Sequence, residues 1–486
     1  MKVMDKVFMG AGTIVKPNSA RSGMGQANRR RFSHNKLRRS HRGLFFACPC
    51  SAAGEEYRVE SYRDVAGKKL LIIGSDASNV HIIDQAKKMG VKTIAVDWET
   101  DHSKCPAKLA ADEAWDLSYR DIDALSQRAM TEHVDGVLAG YAEYRVLCAA
   151  KIAQKIGSPF YVTPEQMELT RSKRNFKTLC AQYGIPVPHE YCHSGVLTDA
   201  EKDAVQYPVI VKPSDYGGRI GISVCYDRAE LDRAVEEALR FSESKSIVVE
   251  EYIRGTELMA LYTISNGEIS LSMVNDKYLS HEGHMYDTLC EVALMPSRYC
   301  GRYIETVDEQ VRAFLQGIGM KNGVAFFQLI ANDEKIAAFE MGLRLNGGND
   351  WKLIQNYNGV NYCEMLIRHS LTGKMGGDLS KDNPWFKEFL CTFVMYCHGG
   401  EVGFVDDSAL RDHSDIVDVH PYLKVGKVMP DNGTTQQKAY SIKIRSRSLD
   451  ELKRTIRFIQ EHVVVKDTDG RNMLFQPFDG DRLGTD

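Results

Sequence analysis

The sequence predicts a mixed α/β and α+β chain that opens with a parallel α/β domain. Three observations carry that prediction. Strand, turn and helix alternate from Lys68 onward; an apolar strand closes on Lys212 before a glycine-rich loop; and Gly323 to Asn349 reads as a hairpin that presents Gln328 and Glu340. At 486 residues the chain exceeds one hydrophobic core, and about 100–200 residues per domain gives roughly three. The expected divisions are residues 1–66, a basic segment; 67–162, the parallel domain; 163–382, with a smaller subdivision over about 186–250; and 383–486.

Hydrophobic residues make up 43% and charged residues 26% of the chain, the proportions of an ordinary globular protein. A formal net charge of -3 gives no sign of a nucleic-acid or membrane partner. The charge is unevenly spread, because residues 1–54 carry many Arg and Lys against a single acid, Asp5. The stretch RSGMGQANRRRFSHNKLRRSHRG lacks apolar periodicity, so it buries too little surface to offset its ordering entropy. Residues 1–66 are therefore read as a disordered tail, with an Arg-rich transit peptide or sequence translated upstream of the true start as alternatives. His34 and His41 are solvated in that reading. The 12 cysteines contain no CxxC, Cys48 and Cys50 being the close pair, so free thiols in a reducing cytoplasm are expected. No apolar run reaches the ~20 residues that cross a bilayer.

From Lys68, KKLLIIGSD is an apolar strand entering a Gly-Ser-Asp turn, HIIDQAKKMG has helical period, and KTIAVDW is a second strand. This is a βαβ unit of a parallel sheet. The alternation continues through YRDIDALSQRAMTEH, DGVLAG and YRVLCAAKIAQKIG. Gly74 lies at the carboxyl end of its strand, where open α/β sheets bind ligands. GSDASN is not GxGxxG, and Asp97 alone is thin support for a dinucleotide site.

Residues from Thr163 form two helical stretches ended by Gly-Ile-Pro, with Lys173 between them; alone, Lys173 reads as a solvated lysine. YPVIVKPSDYGGRIGISVCYD then has an apolar strand ending at Lys212, a flexible loop from Ser214 to Gly221, and a further strand. Backbone N–H groups of such a loop, over a fixed lysine, suit phosphate oxygens. No GKS or GKT closes it, so it is not a Walker A loop, and a plain hairpin is the alternative. After the helix AELDRAVEEALRFS, the strand SIVVEEYIRGTELMALYTI breaks at Glu250 and Glu251 and resumes with Tyr252 and Ile253. A crossing between lobes there could offer backbone groups to an adenine edge and apolar walls to its face. Glu257 could accept from ribose hydroxyls; solvated acids capping a strand are the other reading.

The hairpin GVAFFQLIANDEKIAAFEMGLRLNGGN places an amide and a carboxylate on paired strands. Hard cations take such oxygen ligands, Mg²⁺ in phosphate chemistry being held by one or two protein groups and the nucleotide. Arg344 beside them matches phosphate geometry. An ordinary hairpin with an edge salt bridge remains open on this stretch alone.

Taken together and in order, Lys173, VKPSDYGGRIG, EEYIRGTE, FFQ and FEMGLRLN resemble the ATP-grasp superfamily, from about Lys68 to the C-terminus. The resemblance is to the branch with the carbamoyl phosphate synthetase large chain, biotin carboxylase and the small amino-acid ligases. It implies that 67–162 is a pre-ATP-grasp domain, 163–382 the two ATP-grasp lobes and 383–486 the mixed β/α cap. It also implies Lys173 and Lys212 on ATP phosphates; Ser214, Gly217, Gly218 and Gly221 in the closing loop; Glu250, Glu251, Tyr252 and Ile253 at the adenine hinge; and Glu257 on ribose. Gln328 and Glu340 match metal ligands for Mg²⁺, with Mn²⁺ an alternative, and Arg344, with Lys212, matches the charge-stabilising catalytic groups. Many relatives carry Asn where this chain has Gly342, and either Asn346 or water is the expected substitute oxygen ligand.

The chemistry implied is ADP-forming ligation of a small carboxylate to an amine through an acylphosphate, as in amino-acid or peptide ligases. A homodimer fits the resemblance, and no nucleic acid or membrane partner is expected. Asp276, Lys277, His284 and Glu291 lie where relatives place acceptor contacts, and each reads equally well as a loop or core group. The Val-Glu-His run of biotin carboxylase is missing, and no internal repeat matches a duplicated carbamoyl phosphate synthetase. The alternatives are a non-catalytic ATP-binding regulator or scaffold and a bicarbonate-activating carboxylase.

Overall fold

The computed structural model describes residues 62–193, 197–214, 221–281 and 289–484, which belong to a unit running from Tyr57 to Asp486. The basic segment apart from its last few positions, together with Gly217, Gly218 and His284, lies outside the described residues.

Strands β1 (Lys69–Ile73), β2 (Lys92–Asp97), β3 (Glu113–Asp116) and β4 (Gly136–Leu138) form a parallel sheet in the order β3-β2-β1-β4. Leu70 to Ile73 are fully buried, as a strand covered on both faces requires. Helix α1 (Ala77–Lys88) starts at Asp76, whose carboxylate accepts from the Ser78 N–H. Helix α2 (Glu143–Ile156) follows β4. The strand order reverses beside β1, so the carboxyl ends of β1 and β4 open a crevice. Gly74 turns the chain there with φ +105°, and a Cβ would strike the Arg145 guanidinium and the Asn79 amide. Asp97 is spent inside the sheet, where it accepts the Ser75 N–H at 3.1 Å.

A helix over Pro164–Arg171 leads into α3 (Lys173–Gln182), capped by Ser172. Next, β5 (Glu190–His193), β6 (Val209–Pro213), β7 (Ser223–Cys225) and β8 (Ile247–Glu251) form an antiparallel sheet in the order β5-β8-β6-β7. Helix α4 (Arg228–Phe241) buries Leu231, Ala234, Val235 and Ala238, one face at helical spacing. These residues form a separate small core with Val209, Val211, Ile247 and Val249.

The largest sheet has eight strands. Its early members are β9 (Thr256–Ser265), β10 (Glu268–Leu279), β11 (Cys290–Met295), β12 (Gly323–Ala331) and β13 (Ile336–Gly342). Asn332 closes the β12–β13 turn, its side-chain oxygen accepting the N–H groups of Glu334 and Lys335, both at 3.0 Å. Helices α5 (Trp351–Asn358) and α6 (Tyr362–Thr372) follow. The C-terminal stretch adds β14 (Phe389–Tyr396), β15 (Gly400–Asp406), β16 (Ile416–Pro421), β17 (Val428–Met429), β18 (Lys438–Ser446), helix α7 (Leu449–His462) and β19 (Val464–Asp467).

The C-terminal strands are continuous with the large sheet. The order β13-β12-β9-β10-β11-β14-β18-β16 continues the same sheet through the C-terminal strands, with β11 and β14 antiparallel from Val292↔Phe393 to Met295↔Leu390. Only β17-β15-β19 stands as a sheet of its own in this stretch. Helix α7 covers the C-terminal strands through Leu452, Ile456 and Ile459. The first core likewise runs without a break from Val65 in the parallel domain through Phe327 on β12 to Leu390 on β14. Nearest-neighbour pairing, rather than domain borders, thus holds the site elements together.

Candidate active site

Gln328 and Glu340 stand directly opposite each other across β12 and β13, and the register shifts just after them, between Gln328 and Leu329. The Glu340 side chain is exposed, while Gln328 is half-buried. The Gln328 Oε1 accepts from Lys277 Nζ at 2.7 Å. Lys277 is paired with Glu257 across β9 and β10, its Nζ lying 3.9 Å from the Glu257 carboxylate. One face of the sheet therefore carries Glu257, Lys277 and Gln328 side by side, an arrangement of oxygens around one ammonium group. Among the described residues no cluster of three or more His, Cys, Asp or Glu could hold a metal. A carboxylate and an amide suit a hard cation that keeps other oxygens from water or phosphate.

Arg344 follows β13. Its Nε donates to Glu143 Oε1 at 2.6 Å, Nη1 donates to the Leu345 carbonyl at 2.9 Å, and the guanidinium lies 4.9 Å from the Phe326 ring centroid. Glu143 comes from the first turn of α2 in the parallel domain. Gly342 explains itself in this setting, since a Cβ would lie 2.5 Å from the Phe326 ring and 3.2 Å from Glu143 Oε1. A side chain at this position would have to displace the Phe326 ring. Asn346, the expected substitute ligand, stands among core partners. Asn346 is 2% exposed, its Nδ2 donates to Asp350 at 2.6 Å, and its Oδ1 accepts from the Tyr362 hydroxyl at 3.0 Å. Both ends of the amide are committed to the core.

The small lobe brings cations toward this floor. Lys173 opens α3, and Lys212 is the fourth residue of β6. Burial lowers the Lys173 pKa, the nearby Lys212 charge lowers it further, and Glu340 and Glu250 pull it back up. Lys173, Lys212, Glu250 and Glu340 thus share one electrostatic neighbourhood. Glu250, 3% exposed, is ion-paired with both Lys212 and Lys177. Burial works to raise its pKa, and the two ammonium groups outweigh that, holding the carboxyl below its ordinary value. Lys177 also donates to Glu190 at 3.0 Å.

The Glu251 N–H donates to the His189 carbonyl at 2.8 Å and the Tyr252 N–H to the Pro208 carbonyl at 3.1 Å. The Glu251 carboxylate accepts from Lys335 at 2.6 Å. The donors immediately after Glu250 are thus internal, and the Glu250 carboxylate serves the lysines. Ile253 is 6% exposed and begins the approach to β9. At the loop ends, the Ser214 N–H donates to the Ser246 carbonyl at 3.0 Å, and Gly221 holds φ +71° with Phe241 and Pro213 against its α-carbon. Of the acceptor candidates, Asp276 is a satisfied core group, 2% exposed and bonded to Ser297 and the Arg298 N–H. Glu291 is 7% exposed on β11.

Lys177 and Glu143 escaped the sequence reading. Lys177 had a signal, standing one helical turn after Lys173 on the same face. Glu143 had only its place at a helix start after a strand of an open sheet.

The eight-stranded antiparallel sheet, the small four-stranded lobe and the leading parallel sheet have counterparts in solved structures. The L-amino acid ligase of Bacillus licheniformis superposes with a TM-score of 0.68 at 18% identity, covering 83% of this chain and 99% of that one. The fold is that of the ATP-grasp proteins. Residues 181–313 match the family described as D-ala D-ala ligase C-terminus. The biotin carboxylase domain of 2-oxoglutarate carboxylase from Hydrogenobacter thermophilus, solved as a dimer with MgADP, ADP and bicarbonate, gives a TM-score of 0.67 at 17% identity over 84% of this chain and 91% of that one. In sequence, the carbamoyl phosphate synthase large chain of Corynebacterium glutamicum is 24% identical over 337 residues, 65% of this chain. The chain spans 29% of that protein's length.

Proposed function

We propose that the chain is an ADP-forming ligase that uses Mg-ATP to activate a small carboxylate and join it to an amine, as amino-acid and peptide ligases do. The observation that carries the reading is the Gln328–Glu340 pair facing Lys173 and Lys212, with Arg344 alongside. In this reading Gln328 and Glu340 hold Mg²⁺, or Mn²⁺ in its place, and the donor set fits a hard cation. Lys173 and Lys212 take the phosphates under a loop running from Ser214 to Gly221 through Gly217 and Gly218. Ile253 and Tyr252 border adenine, Glu257 takes the ribose, and Glu250 and Lys177 hold Lys212 in place until nucleotide arrives. The metal, when bound, neutralises phosphate charge.

A carboxylate oxygen attacks the γ-phosphorus, the bond to the β-γ bridging oxygen breaks, and ADP leaves. The amine nitrogen then attacks the acyl carbon, the C–O bond breaks, and phosphate departs as the nitrogen loses its proton. Arg344 stabilises the charge that builds on the transferring group. We further read the protein as cytoplasmic, acting on small molecules rather than nucleic acid, and forming a homodimer. Among the described residues no helix is long and apolar enough to cross a membrane.

The test is ADP release by the full chain with Mg-ATP and panels of carboxylates and amines. Release that depends on one pair is expected; binding of ATP with no release for any pair would instead favour a nucleotide-binding regulator.

A further inference from the structure

At the β18–β16 end of the large sheet three lysines face two carboxylates. Lys352 Nζ donates to both oxygens of Asp418, at 2.9 and 2.8 Å. Lys443 Nζ lies 3.8 Å from Asp350 and donates to Thr392 at 2.9 Å. Lys438 has no acceptor among the described residues. It stands opposite Tyr396 at the start of β18, with its Nζ 5.7 Å from the Tyr422 ring centroid. Burial lowers its pKa, with Cys290 and Asp350 acting in the opposite direction. A half-buried ammonium without a counter-ion carries a desolvation cost that an anion would remove.

His420 lies against the same tyrosine, ring centroids 4.7 Å apart. Its Nε2 is buried and bonds to no partner among the described residues. Burial holds this imidazole down to a pKa of about 4, so at neutral pH it is an uncharged group with one N–H to donate. A cleft of about 470 Å³, lined in part by Lys352 and Asp418, borders the cluster. The register Lys277↔Ala293↔Thr392↔Lys443 runs straight across β10, β11, β14 and β18. Side chains in one such row share a face, so Lys438 and His420 lie on the same side of the sheet as Gln328 and Glu257, several strands away.

We propose that Lys438, with His420 Nε2 and the Tyr422 ring, binds a carboxylate of a co-substrate, distinct from the carboxylate that is phosphorylated. This rests on the ligase reading for its meaning, though not for its test. Two sources share the chemistry: a second carboxylate on the acyl donor, or the carboxylate of an amino acid that serves as the amine.

The test is calorimetric titration of the full chain with succinate, L-alanine and inorganic phosphate, without nucleotide. Succinate binding assigns the donor and L-alanine binding the amine. In either case Lys438→Met is expected to weaken binding at least tenfold and His420→Gln several-fold, Lys438→Arg to restore most of it, and MgADP affinity to stay unchanged in all three. Binding of neither carboxylate, binding of phosphate alone, or unaltered binding in both Lys438→Met and His420→Gln overturns the site. MgADP binding with substrate-dependent ADP release but no Lys438 effect sinks this proposal and spares the ligase. A Lys438-dependent carboxylate with no ADP release does the reverse.

Discussion

Glu143 and Arg344, 201 positions apart, meet at 2.6 Å between a carboxylate oxygen and Nε. The contact ties the first turn of α2 to the segment after β13, so the parallel domain fixes the orientation of the arginine beside the Gln328–Glu340 pair. Phe326 stacks under the guanidinium, and Gly342 leaves room for both partners.

Glu143→Gln keeps the reach of the side chain and removes its charge. In the ligase reading Arg344 loses its fixed orientation, and misplacement of a positioning group costs on the order of 10²-fold in rate. The expected outcome is a fall of that size in kcat for carboxylate-dependent ADP release, with MgADP affinity, measured by titration, unchanged. Equal kcat in variant and wild type would remove Glu143 from the site.

Gly342→Asn restores the residue that many relatives carry, yet here it drives a Cβ into the Phe326 ring. Overpacking of this kind costs about 1–3 kcal/mol, so thermal denaturation is expected at lower temperature. Phe326→Leu in the same chain is expected to recover part of the loss. An unchanged midpoint for the single variant contradicts the packing argument.

Glu250→Gln strips the shared partner from Lys177 and Lys212. Breaking a buried ion pair costs about 3–5 kcal/mol, read by urea denaturation at neutral pH. The Glu250 carboxyl is held below its ordinary value in the folded protein. Its contribution is therefore complete above the unfolded pKa of about 4.3 and disappears as pH falls from there through the lower folded value. The stability gap between wild type and variant is expected to be constant from pH 7 to 5 and to narrow in more acidic solution. A gap independent of pH would show that the charge of Glu250 is not what the lysines need.

The features legible in the sequence are those that short spacing encodes. The Gln328–Glu340 hairpin could be read because its two apolar runs flank a polar turn, and Lys212 because it closes an apolar strand. The βαβ opening at Lys68 was legible by the same periodicity. What could not be read depends on contacts across hundreds of positions. Glu143 reaches Arg344 only because α2 packs on the shared core, and nothing local to α2 marks it. The core partners of Asn346, Asp350 and Tyr362, are not visible until the chain has folded. The continuity of the large sheet past residue 383 was hidden for a related reason: a strand's own sequence does not say which sheet it joins, and β14 joins β11. The Glu251 and Tyr252 N–H groups were likewise taken up by carbonyls that the sequence does not place.

The central claim is that Glu340, opposite Gln328, holds the metal that joins nucleotide to protein. Titration of ADP into wild type and Glu340→Ala, each with and without Mg²⁺, tests it without any knowledge of the substrates. The account predicts that Mg²⁺ tightens ADP binding to wild type at least tenfold and has little effect on Glu340→Ala, while metal-free affinity is the same in both. Equal tightening by Mg²⁺ in the two proteins would contradict it.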